Sequence, residues 1–194
     1  MSRPITLALV FAAAVVAAEP PPATRPPAPR PRDETPLARE QARLCERLNL
    51  EEGVAACRAA LALGIGPDRR GPLREVLAGH LVALEKWDEL ADLLRESVRL
   101  DPASAVAWRR LGLVLLFNLG ETEEAVSALG EAVRLAPGDA SARLGLGLAL
   151  QAGGRPKEAA AAMEEALRLD PAVLDGRPAA RAALDAAKRG EAWP

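Results

Sequence analysis

The side chains able to do acid–base, nucleophilic or metal chemistry are few in this sequence. His80 is its only histidine, so a Ser-His-Asp or Cys-His arrangement would have to include it, and a site with several histidine ligands cannot form. We expect it to be a partly exposed helix residue. Acidic pairs such as Glu123 with Glu124 fall at the starts or solvent faces of predicted helices, where the helix dipole or water stabilises carboxylates. We therefore predict no catalytic residue, cofactor or metal site, and no enzyme activity.

Cys45 and Cys57 are the only two cysteines of the chain. An even count favours a disulfide if the protein is exported. Both lie on predicted helices that join at Asn49–Leu50, offset by about 4.5 Å along the helix axis. A bond can form only if both side chains face across this hairpin. A disulfide and two buried free thiols are therefore both open.

The amino terminus predicts export. Residues 1–18 combine one cation, Arg3, with a 14-residue run of mainly apolar side chains from Ile5 to Ala18, which is typical of a secretory signal peptide. The run is shorter than the roughly 20 residues that span a bilayer, so an uncleaved membrane anchor is the less favoured alternative. We expect a periplasmic or secreted protein that does not insert into a membrane once the signal is removed.

Residues 19–36 contain eight prolines and three arginines. Such a stretch cannot build a core, and it predicts an extended, disordered tether on the order of 50 Å long. Its P-x-x-P spacings could also be a ligand for an aromatic groove.

Composition narrows the class of partner. The 194 residues carry a formal net charge of −2, so no basic excess draws nucleic acid or anionic membranes to the protein. Apolar residues make up 49% of the chain and aromatic residues 3%, with no tyrosine, which suits stacked helices with Leu, Ala and Val cores.

A unit of about 34 residues occurs twice between Asp101 and Pro171. Its closing prolines, Pro102, Pro137 and Pro171, are 35 and 34 residues apart, and we place the extra residue in the turn around "FNLGE". Each copy predicts a helix with an L-G pair, a glycine turn, a second helix with an E-A pair near its start, and a proline. Because glycine inside a helix costs about 1 kcal/mol against alanine, the L-G pairs indicate close helix crossings.

These features resemble the tetratricopeptide repeat family, in an exported bacterial form. In the first copy they are Trp108, Leu111, Gly112, Leu115, Gly120, Ala125, Leu129, Ala132 and Pro137, and in the second Leu146, Gly147, Leu150, Gly154, Ala159, Met163, Ala166 and Pro171. Gly112 and Gly147 are expected to pack on Ala125 and Ala159. An earlier repeat has Leu90 at the alanine position, which predicts a looser crossing.

The resemblance implies an all-α, right-handed solenoid of three to four antiparallel helix pairs and a capping helix. The predicted segments are a degenerate leading hairpin at 37–70, repeats at 71–104, 105–139 and 140–173, a capping helix at 174–190 and a frayed tail at 191–194. Residues 67–71 are predicted to be a turn-rich connection. Trp87 and Trp108 are expected to pack at helix joints.

The resemblance also implies a non-catalytic scaffold that binds a peptide or partner helix in a groove lined by the first helices. A role in assembling or maintaining a cell-envelope complex is our interpretation. The alternative is a self-associating module, such as a homodimer, whose groove holds a second copy or the tether. The family's Lys/Asn clamp for a C-terminal carboxylate is absent. Mapped onto this sequence, the groove residues are Glu75, Val82, Val106, Arg109, Leu113, Leu116, Phe117, Leu144, Leu148 and Gln151.

Overall fold

The computed structural model describes residues 35–191, apart from the side chain of Pro67. This part of the chain is an all-α solenoid of four antiparallel helix pairs and a closing helix, which confirms the predicted fold class. The helices are α1 (Pro36–Arg47), α2 (Leu50–Ala62), α3 (Pro67–Ala83), α4 (Trp87–Leu100), α5 (Ala105–Val114) with a π-helical turn (Leu115–Leu119), α6 (Thr122–Leu135), α7 (Ala140–Ala152), α8 (Pro156–Leu169) and α9 (Pro178–Lys188). The predicted signal peptide, all but the end of the tether, and Trp193 lie outside the described residues.

Short polar side chains cap the starts of α5 and α7. The Ala107 N–H donates to Ser104 Oγ at 3.3 Å, and the Ala142 N–H donates to Asp139 Oδ1 at 3.0 Å, so each cap binds one of the amides that has no partner inside the helix. The Trp108 indole N–H then donates to the Pro102 carbonyl at 3.0 Å, which ties the start of α5 to the proline before it. This contact fits the packing role predicted for Trp108.

The predicted connection at residues 67–71 is wrong, because these residues form the beginning of α3. Pro67 occupies the first turn, where a missing N–H costs nothing, and Asp68 follows it at the positive end of the helix. Pro72 lies inside the helix and removes one ladder hydrogen bond. Burial of Leu77 and Leu81, on the same face as Leu73, outweighs that loss.

The extra residue of the first copy is absorbed near the predicted place, residues 117–121, but by a helix end and not by a turn. It widens the end of the first helix into the π-helical turn Leu115–Leu119, and the Glu121 N–H donates back to the Leu115 carbonyl at 2.9 Å. Gly120 follows with a φ of 71°, a left-handed conformation in which a side chain would be strained. A single inserted residue can therefore be absorbed within a helix end, and such π-helical turns are frequent at functional sites.

The predicted glycine crossings are confirmed. A Cβ added to Gly112 would lie 3.2 Å from the Ala125 carbonyl oxygen, and one added to Gly147 would lie 3.1 Å from the Ala159 carbonyl oxygen. The latter would also lie 2.5 Å from Cγ of Met163. By contrast, α3 and α4 make fewer close backbone approaches than these two pairs, as the larger Leu90 predicted.

The carboxyl-terminal end closes the stack. Val173 and Leu174 are buried in the turns that follow α8, and α9 places Ala183 and Leu184 against the last repeat. The predicted fraying is wrong for Glu191, because its N–H donates to the Ala186 carbonyl at 3.0 Å and its carbonyl accepts a hydrogen bond from the Gln151 side chain.

Candidate partner-binding groove

A cavity of about 670 Å³ lies between α5 with its π-helical turn, α7 and the start of α9. We call it the α5–α7–α9 groove. Its lining is almost entirely apolar. The residues that line it are Arg109, Leu113, Leu116, Phe117, Ser141, Leu144, Gly145, Leu148, Arg177, Pro178, Ala179 and Ala180.

Six of the ten predicted groove residues meet in this cavity, and they lie at different depths. Leu144 is buried and forms part of the floor, whereas the Phe117 side chain is 63% exposed. Leu113, Leu116 and Leu148 are half-buried between these extremes. The exposed end of the strip therefore comes from the π-helical turn, which carries Leu116 and Phe117.

Gly145 gives the groove depth. A Cβ at this position would lie 3.1 Å from Cδ2 of Leu113 and 3.0 Å from Cδ2 of Leu129, closer than almost all real contacts of this kind. Its lack of a side chain allows α7 to approach α5 and leaves the two leucine-bearing faces lining one cavity. A larger residue here would require Leu113 or Leu129 to shift.

The start of α9 forms the remaining wall, which the sequence reasoning missed. Arg177 and Pro178 lie at the groove although they follow the last repeat by several residues. The proline at the first turn of α9 predicted where that helix begins, but no local signal indicated that it would face α7.

Four predicted groove residues do not line this cavity. Glu75 forms an ion pair with Arg110 of the next repeat. Val82 and Val106 are about half exposed outside it. Gln151 is 1% exposed, and its amide N–H donates to the Glu191 carbonyl at 2.7 Å. Gln151 therefore fixes the segment after α9 in place and is unavailable to a ligand.

Arg109 is less free than its sequence position suggested. Its Nε lies 3.3 Å from Oδ2 of Asp139, the same carboxylate whose other oxygen caps α7. The contact is an ion pair and not a hydrogen bond, because the Arg109 Nε–H does not point at an acceptor with suitable geometry. Arg109 and Arg177 are the only charged side chains among the lining residues, so the groove is apolar with a positive edge.

A cluster of two cysteines and a histidine lies at the other end of the solenoid. Cys45 and Cys57 form a disulfide between α1 and α2, with their Cα atoms 4.8 Å apart, which decides between the two alternatives that the sequence left open. His80 of α3 is half-buried, as expected for it, and its Nε2 lies 2.9 Å from the Cys45 carbonyl oxygen. Sequence reasoning placed no metal-ligating group near the cysteines and missed that this histidine reaches them.

A charged cluster joins α4 of the second helix pair to the start of α6 in the third pair. Arg95 of α4 donates through Nε and Nη2 to both carboxylate oxygens of Glu124 of α6, at 2.9 and 2.8 Å, and through Nη2 to Glu121 at 2.7 Å. These hydrogen bonds, with the attraction of the guanidinium charge, lower the pKa of Glu124 below its ordinary value.

Across residues 35–191, none of the helices combines the length and apolar character needed to cross a bilayer.

Known proteins share this architecture, both by family match and by structural similarity. Residues 115–173 match a family described as Tetratricopeptide repeat. The chain superposes on a crystal structure of MamA with a TM-score of 0.66 and 20% identity, over 79% of this chain and 82% of MamA. YrrB, described as a TPR protein with an unusual peptide-binding site, gives a TM-score of 0.58 and 24% identity over 70% of this chain and 66% of its own. For TTC0263, a thermophilic TPR protein of Thermus thermophilus, the TM-score is 0.54 and the identity 25%, over 80% of this chain and 83% of the other. No curated protein matches the sequence.

Proposed function

We propose that this chain, whose residues 115–173 match the tetratricopeptide repeat family, is a protein-interaction scaffold whose α5–α7–α9 groove binds an apolar segment of a partner in the cell envelope. Proteins of this family are generally non-catalytic scaffolds, and stacked repeats offer extended binding surfaces. The observation that carries the proposal is the continuous apolar lining of the groove, from the buried Leu144 to the exposed Phe117.

The lining defines the kind of segment that fits. A large exposed phenylalanine beside half-buried leucines suits an amphipathic helix or an extended segment anchored by apolar side chains at helical or alternate spacing. Arg177 at the edge favours an acidic residue next to those anchors, with an exposed pair contributing about 0.2–1 kcal/mol. Arg109 contributes less, because Asp139 already neutralises it.

Export is part of the proposal. The signal-like amino terminus motivates it, and the disulfide between Cys45 and Cys57 supports it, because structural disulfides persist in oxidising compartments such as the periplasm. Proline-rich residues 19–36 would then form the amino-terminal end of the mature protein and could link the repeats to a partner.

The groove is tested by a photo-crosslinking amino acid at position 117, with position 82 as the matched control. Both native residues are exposed apolar side chains, at 63% and 47%, but only Phe117 lines the groove. We expect a specific partner adduct in the native host from position 117 and none from position 82. Equal labelling from both positions, or adducts that survive Phe117→Asp in a Leu116-labelled chain, would show that the groove is not the site.

Two further measurements test export and self-association. Sequencing the amino terminus of the mature protein should find Glu19 or a neighbour, with the protein in the envelope or medium, and a cytoplasmic protein that begins at Met1 would contradict export. Light scattering should find a monomer across concentrations. A concentration-dependent dimer that Phe117→Asp dissociates would instead favour a self-associating module.

A further inference from the structure

Three side chains with soft or borderline metal-ligand atoms meet at the junction of the first two helix pairs. Cys45 of α1, Cys57 of α2 and His80 of α3 each offer one ligand atom, and these atoms all lie within 4.8 Å of one another. Both cysteines are fully buried, and His80 is half-buried above them. They come from three helices and two different pairs, so the convergence results from the tertiary structure.

The histidine is held in place by its surroundings. Its ring lies over Gly53 of α2, where an added Cβ would come within 2.6 Å of Nε2. The same nitrogen contacts the Cys45 carbonyl oxygen at 2.9 Å, in the last turn of α1, where helix carbonyls lack partners along the helix. A glycine at position 53 therefore makes room for an imidazole directed at the cysteine-bearing turn.

We propose that, when the disulfide is reduced, Cys45, Cys57 and His80 form a three-ligand site for Zn²⁺. Two thiolates and an imidazole are a ligand set that zinc favours, at distances of about 2.3 Å for sulfur and 2.0–2.1 Å for nitrogen. Ligand atoms on one tetrahedral zinc are therefore roughly 3.5–3.8 Å apart. The largest present separation, 4.8 Å, would have to close by about 1 Å, and the two sulfurs, now bonded to each other, would have to move apart to about 3.8 Å once reduced.

The two states exclude each other chemically. A dithiol reductant supplies two electrons and two protons, so the sulfur–sulfur bond breaks, two thiols form and the reductant becomes a disulfide. Zinc binding then displaces one proton from each thiol. His80 gives up its contact with the Cys45 carbonyl, and its imidazole carries its proton on Nδ1 once the proton of Nε2 has passed to solvent, which frees Nε2 to coordinate the metal. In the oxidised protein the sulfurs are bonded to each other, and no thiolate is available.

The consequence is a change in which helices are linked. The disulfide joins only α1 to α2, whereas zinc would join both of them to α3 of the next pair. A reduced chain that has bound zinc would thus keep its leading hairpin attached to the solenoid in the absence of the covalent bond. The fourth position on the metal would be left for water or an exogenous ligand.

The test uses the full mature chain, reduced with a phosphine and desalted without oxygen, then titrated with Zn²⁺ against a chromophoric chelator. We expect one Zn²⁺ per reduced chain, no tight Zn²⁺ binding by the oxidised chain, and no response of either to Mg²⁺. His80→Gln keeps an amide donor for the Cys45 carbonyl but removes the imidazole. It should weaken zinc binding by roughly 100-fold or more, since even loss of an outer-shell partner of a ligand costs about 10- to 100-fold.

Cobalt provides a second readout, because Co²⁺ in the reduced chain should show a thiolate-to-metal charge-transfer band that the double variant Cys45→Ser, Cys57→Ser lacks. If reduction unfolds the leading hairpin, added Zn²⁺ should restore its far-UV helical signal. Failure of zinc to bind or to restore that signal, or equal affinity of His80→Gln and the unaltered chain, would overturn the proposal.

Discussion

The leading two helix pairs, α1 to α4, and the trailing two, α5 to α8, are held together by different means. In the trailing pairs the backbones meet where Gly112 and Gly147 cross Ala125 and Ala159. In the leading pairs, Leu90 holds α3 and α4 further apart, and the Cys45–Cys57 disulfide joins α1 to α2. Only the trailing region matches the tetratricopeptide repeat family in sequence, over residues 115–173.

This difference relates to where the groove forms. Close crossing in the trailing pairs, together with Gly145, brings α5 and α7 near enough for their leucines to line one cavity. In the leading half the equivalent faces carry Glu75, paired with Arg110, and Val82, outside that cavity. Small residues at crossings therefore shape the proposed binding surface as well as the core.

The largest effect is expected from Gly147→Leu, which breaks a trailing crossing. The new side chain would be forced onto Met163 and the Ala159 carbonyl, and overpacking of this kind lowers the free energy of unfolding by about 3 kcal/mol or more. Gly79→Leu is the matched control, because a Cβ at Gly79 of α3 meets no atom within 4 Å. It should leave stability unchanged or raise it by up to about 1 kcal/mol through helix propensity. Urea denaturation measures both, and equal losses would contradict the crossing.

Reduction of the disulfide tests the leading half. With a metal chelator present, reduction gives the unfolded chain back the conformational entropy that the closed loop removed, and this should lower the free energy of unfolding by about 3 kcal/mol at most, because the loop is short. Hydrogen exchange should quicken in α1 and α2 while α7 and α8 keep their protection, the reverse of the pattern expected for Gly147→Leu. Intact mass should rise by two hydrogens on reduction, and two titratable thiols in unreduced protein from its native compartment would argue against the bond.

A smaller effect is expected at the joint between the leading and trailing pairs, from Arg95→Met. Exposed ion pairs contribute about 0.2–1 kcal/mol, and Arg168→Met, which removes only a pair with Glu165 within α8, should cost less. Since hydrogen bonding from Arg95 lowers the pKa of folded Glu124, the pair stabilises the protein above the ordinary glutamate pKa. The stability difference between Arg95→Met and the unaltered protein should vanish as pH falls through that lowered pKa. A difference that persists in acid would mean that Arg95 acts through packing.

The candidate groove could be predicted only in part. Leu113, Leu116 and Phe117 repeat along one helix, so their shared face follows from helical periodicity, and Leu144 and Leu148 follow from the repeat. The inclusion of Arg177 and Pro178 could not be predicted, because it depends on how α9 packs against α7. The exclusion of Gln151 depends on a hydrogen bond to Glu191, 40 residues away.

Sequence alone determined the helix pairs, the prolines that close them and the glycines at the trailing crossings, because these follow from spacing within about 35 residues. Tertiary structure decided how the extra residue is absorbed, since a π-helical turn and a longer loop have the same sequence and differ only in packing. It also decided that Asp139 neutralises Arg109 and that His80 meets both cysteines. Those contacts join residues distant in the chain, and only the stacking of one helix pair on the next brings them together.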